Sequence, residues 1–296
     1  MSWVAVDWGT SRLRAWVHDG DDVTALSSDA GMGTLEPDAF EKALILLIEP
    51  YLSADKVTPV ICCGMVGARQ GWAEAAYAPV PAAPPDANGA LRVASDDPRI
   101  EVYILPGMSQ AKPADVMRGE ETQIAGLIAI RPDFDGVLCL PGTHTKWAHI
   151  SAGEIVSFAT FMTGEMFALL SGQSVLRHSL GGDGWDDDAF TTAVTDAMAR
   201  PERIGSSLFS LRAASLLEDL PPATARARLS GTLIGVELAA ARPYWLGREV
   251  VLIGDQTVTS PYAAALSAQG VTAACAPADE LTLHGLRRAH ATLKES

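Results

Sequence analysis

Short apolar runs bounded by turn residues recur along the chain, and longer segments with one apolar face lie between them. The first pattern predicts β-strands over 3–6, 57–63, 100–105, 137–140 and 250–253. The second predicts helices over 36–51, 121–130, 188–198, 206–219, 260–269 and 278–293. Strands and helices interleave along the chain, which predicts an α/β fold.

The strands that begin at residues 3 and 137 each lead into a Gly-Thr pair, and the two segments match. Residues 9–24 and 142–157, at an offset of 133, share five identities in sixteen positions. Chance could give that number, but both segments also predict the same order of strand, Gly-Thr turn, strand, Gly-containing turn and strand. We therefore expect a duplication, with two α/β domains facing one another across a cleft. The expected domains are 1–128 and 129–296, with the terminal helix able to pack back on the first.

Charge and composition narrow the class of protein. The chain of 296 residues has 36 acidic and 22 basic residues, a net charge of −14, and no basic run, which argues against nucleic acid as a partner. Its longest aliphatic stretch, 43–48, is too short to span a membrane, and the first residues do not resemble a signal peptide. The four cysteines form no CxxC pair and predict buried free thiols, so we expect a cytoplasmic protein.

The two Gly-Thr turns are candidate phosphate sites. Glycine lets a phosphate approach the backbone closely, and nearby N–H groups, hydroxyls and a lysine can hold it. The candidate phosphate ligands are Gly9, Thr10, Ser11, Gly142, Thr143, His144 and Lys146. Asp7, at the end of the preceding strand, is a candidate ligand for hydrated Mg²⁺. The alternative is a pair of ordinary hairpin turns, but no GxxxxGK[ST] motif offers a competing phosphate site.

Two further segments carry candidate chemistry. Glu120 and Glu121 begin a predicted helix, where acidic residues either stabilise the helix dipole or act as a general base. The loop 64–77 contains Arg69, Gln70, Trp72 and Tyr77, a set typical of a loop that binds a small polar ligand. Arginine suits a bidentate grip on a carboxylate, whereas the two aromatic residues could equally be core anchors. Residues 78–99 carry five prolines and predict an extended segment, either a passive loop or a lid.

These segments together resemble the 2-dehydro-3-deoxygalactonokinase family of the sugar kinase/actin/heat-shock ATPase superfamily. The segments that carry the resemblance are VAVDWGTSRLRAW (4–16), GMVGARQGWAEAAY (64–77), PADVMRGEETQIAG (113–126), LPGTHTKW (140–147), TFMTGEMFALLSGQSVLR (160–177) and SGTLIGVELAAA (230–241). VLIGD (251–255) is a weaker match to the superfamily's adenosine motif, and it makes Gly254 and Asp255 candidate adenosine ligands.

The resemblance implies two ribonuclease H-like domains of the hexokinase–actin type and ATP-dependent, Mg²⁺-assisted phosphorylation of 2-dehydro-3-deoxy-D-galactonate. It also implies a catalytic carboxylate before the second hairpin, for which we expect Glu121, with Glu120 and then Asp115 as alternatives. A kinase of another small sugar acid, a nucleotide or polyphosphate hydrolase, and an actin-type assembly protein remain alternative hypotheses. The sequence leaves the oligomeric state open, a homo-oligomer included.

Overall fold

Fourteen β-strands and nine α-helices are built from residues 2–295, which are the residues that this computed structural model describes. The strands are β1 (Trp3–Trp8), β2 (Leu13–Asp19), β3 (Asp22–Ser28), β4 (Thr58–Gly64), β5 (Tyr77–Pro79), β6 (Leu91–Val93), β7 (Ile100–Ile104), β8 (Gly107–Ala111), β9 (Ala114–Met117), β10 (Gly136–Leu140), β11 (Thr145–Ser151), β12 (Glu154–Phe161), β13 (Val250–Ile253) and β14 (Ala274–Ala276). The helices are α1 (Phe40–Ile48), α2 (Glu120–Ile130), α3 (Thr163–Gly172), α4 (Asp187–Ala199), α5 (Ile204–Leu217), α6 (Pro222–Ala240), α7 (Arg242–Trp245), α8 (Gln256–Ser267) and α9 (Ala278–Glu295). Within that described range, no helix combines the length and the apolar character needed to cross a membrane.

Internal contacts divide the chain into two compact units. The first unit comprises Met1–Phe134, Ile150–Ser157 and Ala278–Ser296, and the second comprises Asp135–His149 and Phe158–Pro277. The predicted domains, 1–128 and 129–296, were placed from the duplicated segments of the sequence, and that division stays a proposal.

The first unit is built on a six-stranded sheet with the order β3-β2-β1-β4-β7-β6. Strands β1, β2 and β3 pair antiparallel, whereas β4 is parallel to both β1 and β7. Side chains alternate across β1 with the period of two that a buried strand imposes: Val6 and Trp8 pack in the cluster that contains α1, and Trp3 and Ala5 pack in the cluster that contains α9. A separate sheet has the order β5-β8-β9.

Helices α2 and α9 of the first unit cross at very short range. A Cβ added at Gly126 of α2 would overlap the backbone of Leu281, and one added at Gly285 of α9 would overlap the backbone of Thr122. Glycine at both positions therefore lets the two backbones touch, which fixes where α2 begins relative to the sheet beneath α9.

The second unit is built on a sheet with the order β12-β11-β10-β13-β14, in which β13 is parallel to β10 and to β14. Helices α4, α6 and α8 bury their apolar side chains against it, and Val137, Phe190, Ile234 and Leu266 belong to this core.

The predicted duplication is confirmed at the level of the fold. Strands β10, β11 and β12 begin within one residue of the positions expected from β1, β2 and β3 at the offset of 133, and both sheets continue with a parallel strand beside the first. Gly20 and Gly153, also 133 residues apart, turn the chain with φ values of +63° and +76°. The α/β prediction is therefore correct, as are most of the predicted elements.

Three differences have clear causes. Helix α1 is shorter than the predicted 36–51, since it begins at Phe40 and gives way to a 3-10 turn at Glu49–Tyr51. Helix α8 begins four residues before the predicted 260 because Asp255 caps it. The expectation that all cysteines are buried is wrong for Cys275, which lies exposed on the short edge strand β14.

Candidate active site

The first Gly-Thr hairpin joins β1 to β2 and has a rigid turn. The Gly9 N–H donates to the Arg12 carbonyl at 2.8 Å, and the Gly33 N–H donates to the Thr10 carbonyl at 2.8 Å. A Cβ added at Gly31 would overlap the backbone of Thr10 and Ser11. The chain segment after β3 therefore supports the turn from behind, and the side chains of Thr10 and Ser11 are left exposed.

Asp7 lies near the end of β1, directly across from Arg14 on β2. Its Oδ2 accepts a hydrogen bond from Arg14 Nη2, while Arg14 Nη1 donates to Asp279 at the start of α9. Among residues 2–295, the one hydrogen-bond donor to its Oδ1 is the Cys63 thiol, at 3.9 Å. Burial raises the pKa of Asp7 and the Arg14 guanidinium opposes that rise, so the carboxyl group is nearly enclosed but keeps one oxygen weakly bonded.

Glu121 is the most strongly buried of the predicted catalytic residues. It lies in the first turn of α2 with 1% of its surface exposed, and both of its oxygens accept from the Gly119 N–H at 2.8 Å. Burial, assisted by the neighbouring charge of Glu120, raises the pKa of Glu121 to about 7. A group with that pKa is divided between its acid and base forms near neutral pH, which suits proton transfer.

The first unit brings Asp7 and Glu121 to the same place. Cys63, at the end of β4, contacts Asp7 and feels the charges of both carboxyl groups. The next residue, Gly64, has φ +87°, and an added Cβ would lie 3.2 Å from Asp7 Oδ1. Gly119 has φ +108° and packs against Gly64, with 3.4 Å from its added Cβ to the Gly64 Cα. Two glycines in left-handed conformations thus allow the ends of β1 and β4 and the start of α2 to meet.

The two alternative bases are placed less favourably. Glu120 Oε2 accepts from the Arg118 N–H at 3.1 Å, the arrangement of a carboxylate that caps its own helix. Asp115 lies on β9, where Oδ1 accepts from the Val116 N–H at 2.8 Å. Neither side chain is fully buried.

The loop 64–77, which we call the sugar-acid loop, carries exposed polar residues and one packed aromatic residue. Arg69 has a side chain that is 80% exposed and lies 3.6 Å from Glu74, and Gln70 is also exposed. Trp72 packs in the core beside Trp8 and Phe40, with ring centroids 6.2 and 6.4 Å away. Trp72 is therefore a core anchor, which was one of the two interpretations open at that position.

Arg118 is a residue that the sequence analysis did not select. Its guanidinium lies over the ring of Tyr77 at 4.2 Å, and its Nη2 donates to the Ala75 carbonyl at 2.8 Å. Its Nε and Nη1 are buried and have no hydrogen-bond partner among the residues that the structure describes. An arginine directly before the Gly-Glu-Glu of a helix start is the signal that could have found it. Arg118 ties the sugar-acid loop to the turn that holds Glu121.

The second Gly-Thr hairpin, in the second unit, repeats the support of the first. A Cβ added at Gly164 would overlap the Gly142 carbonyl, and Gly164 is related to Gly31 by the same offset of 133. The Glu165 N–H donates to the Thr143 carbonyl at 2.9 Å, and Glu165 Oε2 pairs with His144 Nε2 at 2.6 Å. Gly142, Thr143 and His144 are exposed, whereas the Lys146 side chain is buried on β11.

A cavity of about 370 Å³ adjoins this hairpin within the second unit. Its walls include Gly142 of the hairpin and residues of α3, α6 and α8. Most lining residues are apolar, and the polar side chains among them are Thr163, Arg226, Ser230, Thr257 and Tyr262. Gly254 and Asp255 lie beside α8, and Asp255 Oδ1 accepts from the Thr257 and Val258 N–H groups at 2.8 and 3.3 Å. The cavity has the size and composition of a small-ligand site.

Two solved structures of other proteins share this fold. The activator of 2-hydroxyisocaproyl-CoA dehydratase from Clostridium difficile, solved with bound ADPNP, is 13% identical with a TM-score of 0.52, and the alignment covers 100% of this chain and 98% of that one. Acetate kinase from Entamoeba histolytica is 11% identical with a TM-score of 0.53, covering 98% and 99%. The fold is that of the sugar kinases and actin-like ATPases.

Comparison with more similar proteins identifies the family. The chain matches the 2-keto-3-deoxy-galactonokinase family over residues 7–289, and it belongs to this family. It is 39% identical to a Rhizobium meliloti (strain 1021) protein named "Probable 2-dehydro-3-deoxygalactonokinase DgoK1", over 97% of this chain and 96% of that protein. It is 33% identical to 2-dehydro-3-deoxygalactonokinase of Escherichia coli (strain K12), over 98% of both. A crystal structure from Sinorhizobium meliloti that carries the same kinase name is 38% identical, covers 98% of this chain and 99% of that chain, and has a TM-score of 0.92.

Proposed function

We propose that this protein transfers the γ-phosphate of ATP to the terminal hydroxyl of 2-dehydro-3-deoxy-D-galactonate, giving the 6-phosphate in galactonate breakdown in the cytoplasm. The observation that carries the proposal is that Asp7 and Glu121 both act on Cys63, where the ends of β1 and β4 meet the start of α2, in a chain of this kinase family. An alcohol that attacks phosphorus needs a base to accept its proton. The negative charge of the triphosphate needs a cation such as Mg²⁺, which a nearby carboxylate can hold.

Glu121 is the proposed general base. Its carboxylate is held by the Gly119 N–H and its pKa lies near 7, so at neutral pH a large fraction can accept the proton of the attacking hydroxyl. The Thr122 hydroxyl donates only weakly to the same carboxylate, at 3.4 Å from Oε1. The proton therefore moves from the sugar hydroxyl to a carboxylate oxygen of Glu121.

Asp7 is the proposed residue for Mg²⁺. Among residues 2–295 no group of three or more His, Cys, Asp and Glu side chains could hold a metal. Mg²⁺ in kinases is commonly held by one or two carboxylates together with substrate phosphates, and a single carboxylate beside a phosphate hairpin fits that pattern. Within the described part of the chain, Oδ1 of Asp7 accepts from a weak thiol donor alone, so it has a lone pair to offer. Bound Mg²⁺ would neutralise charge on the β- and γ-phosphate oxygens.

Arg69 and Gln70 are the proposed groups for the sugar acid. Both are exposed and carried on a loop whose base is fixed by Trp72 and Arg118, so their polar ends are accessible to an acid, although Arg69 lies 3.6 Å from Glu74. Tyr77, stacked on Arg118 and 39% exposed, is proposed to contact the same ligand. A carboxylate ligand would gain charge-assisted hydrogen bonds from Arg69.

The second unit is proposed to hold the nucleotide. Gly142, Thr143, His144 and Lys146 are its proposed phosphate ligands, and Gly9, Thr10 and Ser11 are the corresponding proposed phosphate ligands of the first unit. The nucleoside would occupy the cavity beside α8, whose first turn follows Gly254 and Asp255. In this proposal Asp255 acts mainly by capping α8, since its Oδ1 is engaged by backbone N–H groups.

The test is an assay of ADP release with Mg²⁺-ATP and a panel of 2-keto-3-deoxy sugar acids, with the phosphorylated product identified by ³¹P NMR. We expect ADP release only when the acid is present and the highest kcat/KM for the galactonate-derived acid. ADP release at the same rate without any acid would identify a hydrolase instead. Preference for a different acid would keep the chemistry and change the substrate.

A further inference from the structure

One carboxylate in the second unit lies beneath the second hairpin and is bonded from several sides. Glu237 of α6 is 2% exposed, its Oε1 accepts from Trp147 Nε1 at 2.7 Å, and its Oε2 accepts from the Tyr262 hydroxyl at 2.8 Å. Thr163, at the start of α3, also bonds this carboxylate. Three elements of the second unit, β11, α3 and α8, therefore converge on a single side chain of α6.

The burial of the Glu237 carboxylate in the core is energetically unfavourable. A buried carboxylate loses its hydration, and an apolar residue of similar volume usually gives equal or greater stability. Burial raises the pKa of Glu237 to about 7, although three donors oppose the rise. Its neighbours Leu233, Ile234 and Leu238 on the same helix are buried and apolar, so stability alone does not account for a glutamate here.

The bonds continue from Glu237 to the phosphate hairpin. The Tyr262 hydroxyl also lies 2.8 Å from Thr145 Oγ1, and Thr145 is fully buried at the start of β11, three residues after Gly142. Tyr262 and Thr163 also line the nucleotide cavity. One network thus joins the wall of the cavity to the base of the turn that is proposed to bind phosphate.

We propose that Glu237 and Tyr262 are positioning residues that fix the second Gly-Thr hairpin relative to the nucleoside cavity. This inference rests on the proposed use of ATP by this unit. Neither residue takes part in phosphoryl transfer; together they set the distance between the place where the base binds and the place where the phosphates bind. Loss of the network therefore weakens ATP binding and leaves binding of the sugar acid unchanged.

The experiment compares Tyr262→Phe and Thr145→Val with Trp245→Phe as a matched control. Trp245 lies in the same hydrophobic core, and its Nε1 donates to the Leu238 carbonyl at 2.9 Å, so its replacement also removes one buried hydrogen bond. Mg²⁺-ATP is titrated by calorimetry without sugar acid, and KM is measured for both substrates. We expect Tyr262→Phe and Thr145→Val to raise the Kd for ATP by about 5- to 50-fold, while the KM for the acid changes less than about twofold.

Trp245→Phe should lower the melting temperature by a similar amount and leave the Kd for ATP unchanged. An equal loss of ATP affinity in Trp245→Phe, or no loss in Tyr262→Phe and Thr145→Val, would overturn the inference, because the network would then serve stability alone. A wild-type protein that does not bind ATP would overturn the proposed function as well, so the two failures are distinguishable.

A pair of substitutions at Glu237 separates geometry from charge. Glu237→Gln can accept from Trp147 and donate to Tyr262, whose hydroxyl then donates to Thr145, so these three bonds survive in a neutral network, and the Thr163 hydroxyl can still pair with the amide. We expect ATP binding within about threefold of wild type for Glu237→Gln and a loss like that of Tyr262→Phe for Glu237→Leu. Equal damage from both substitutions would show that the charge itself is required, and would overturn the positioning role.

Discussion

Replacing Glu121 by glutamine tests the proposed base and its burial in one variant. Glutamine keeps the size of the side chain and accepts from the Gly119 N–H through its carbonyl, so packing against Cys63 and Thr122 is preserved. It cannot accept a proton. A general base typically contributes ~10²–10⁴-fold, so kcat should fall by that order while both substrates still bind.

The raised pKa of Glu121 also predicts the size of a change in the free energy of unfolding, which is independent of the effect on kcat. Its value of about 7, against 4.5 for an ordinary glutamate, means that the native state holds the proton more tightly than the unfolded chain does. The difference corresponds to about 3 kcal/mol of stability, present below about pH 4.5 and lost as the pH rises through about 7. Glu121→Gln has no proton to lose at this position. Its free energy of unfolding should therefore rise relative to wild type by about that amount between about pH 4.5 and 8.

The assays are kcat/KM as a function of pH and urea unfolding at several pH values. For wild type, kcat/KM should increase with pH and level off above about 7, because only the ionised carboxylate can act as a base. Glu120→Gln is the matched control, since adjacent helical residues point about 100° apart and Glu120 caps the helix through the Arg118 N–H. The reasoning is refuted if Glu121→Gln retains nearly normal kcat, or if Glu120→Gln is the slow variant. Two nearly normal enzymes would direct attention to Asp115.

Three further substitutions test the remaining roles. Asp7→Asn should lower kcat by ~10²-fold or more at saturating Mg²⁺ with little change in melting temperature, and an unchanged kcat would remove Asp7 from the metal site. Arg69→Ala should weaken the sugar acid by roughly 10- to 150-fold without affecting ATP, because a charge-assisted pair contributes ~1.5–3 kcal/mol; an equal loss toward a neutral sugar would contradict this role. Lys146→Met keeps the buried volume and loses the charge, so the KM for ATP should rise roughly tenfold, and wild-type ATP kinetics would make the second hairpin purely structural.

Local patterns predicted the parts of the fold that depend on neighbours in sequence. The strand, Gly-Thr turn and strand of each hairpin are set by a few adjacent residues, and the offset of 133 that relates the two hairpins also relates Gly31 to Gly164, which was not foreseen. Both glycines are required because the backbone of a turn lies against them. A repeat search by identity alone could not distinguish these two glycines from the others in the chain.

Helix α6 shows why other elements could not be predicted. It is buried on most sides, so it has no polar face to reveal a helical period. Gly235, which would ordinarily weaken a helix, is needed because an added Cβ would lie 2.6 Å from the Val194 carbonyl of α4. Glu237 within the apolar run LIGVELAA was the visible signal, but its partners Trp147 and Tyr262 lie 90 and 25 residues away in the chain.

The sequence predicted which carboxylates belong to the candidate site, but it did not predict how they are arranged. Asp7 and Glu121 were both selected as carboxylates beside expected turns, yet only the left-handed glycines 64 and 119 bring them together. Arg118 was missed because its contact with Tyr77 depends on the placement of the short strand β5 beside β8, which no local pattern specifies.

Helix α9 has a consequence for how the protein is made. Asp279 bonds Arg14, which in turn bonds Asp7, and Gly285 packs against Thr122 beside Glu121. A ribosome has already synthesised the whole of the second unit before these two supports leave its exit tunnel. Domains commonly complete their folding in the order of synthesis, but here the first unit must wait for residues that follow the second. A nascent chain released at residue 277 would contain every proposed catalytic side chain and still lack the helix that holds two of them in place.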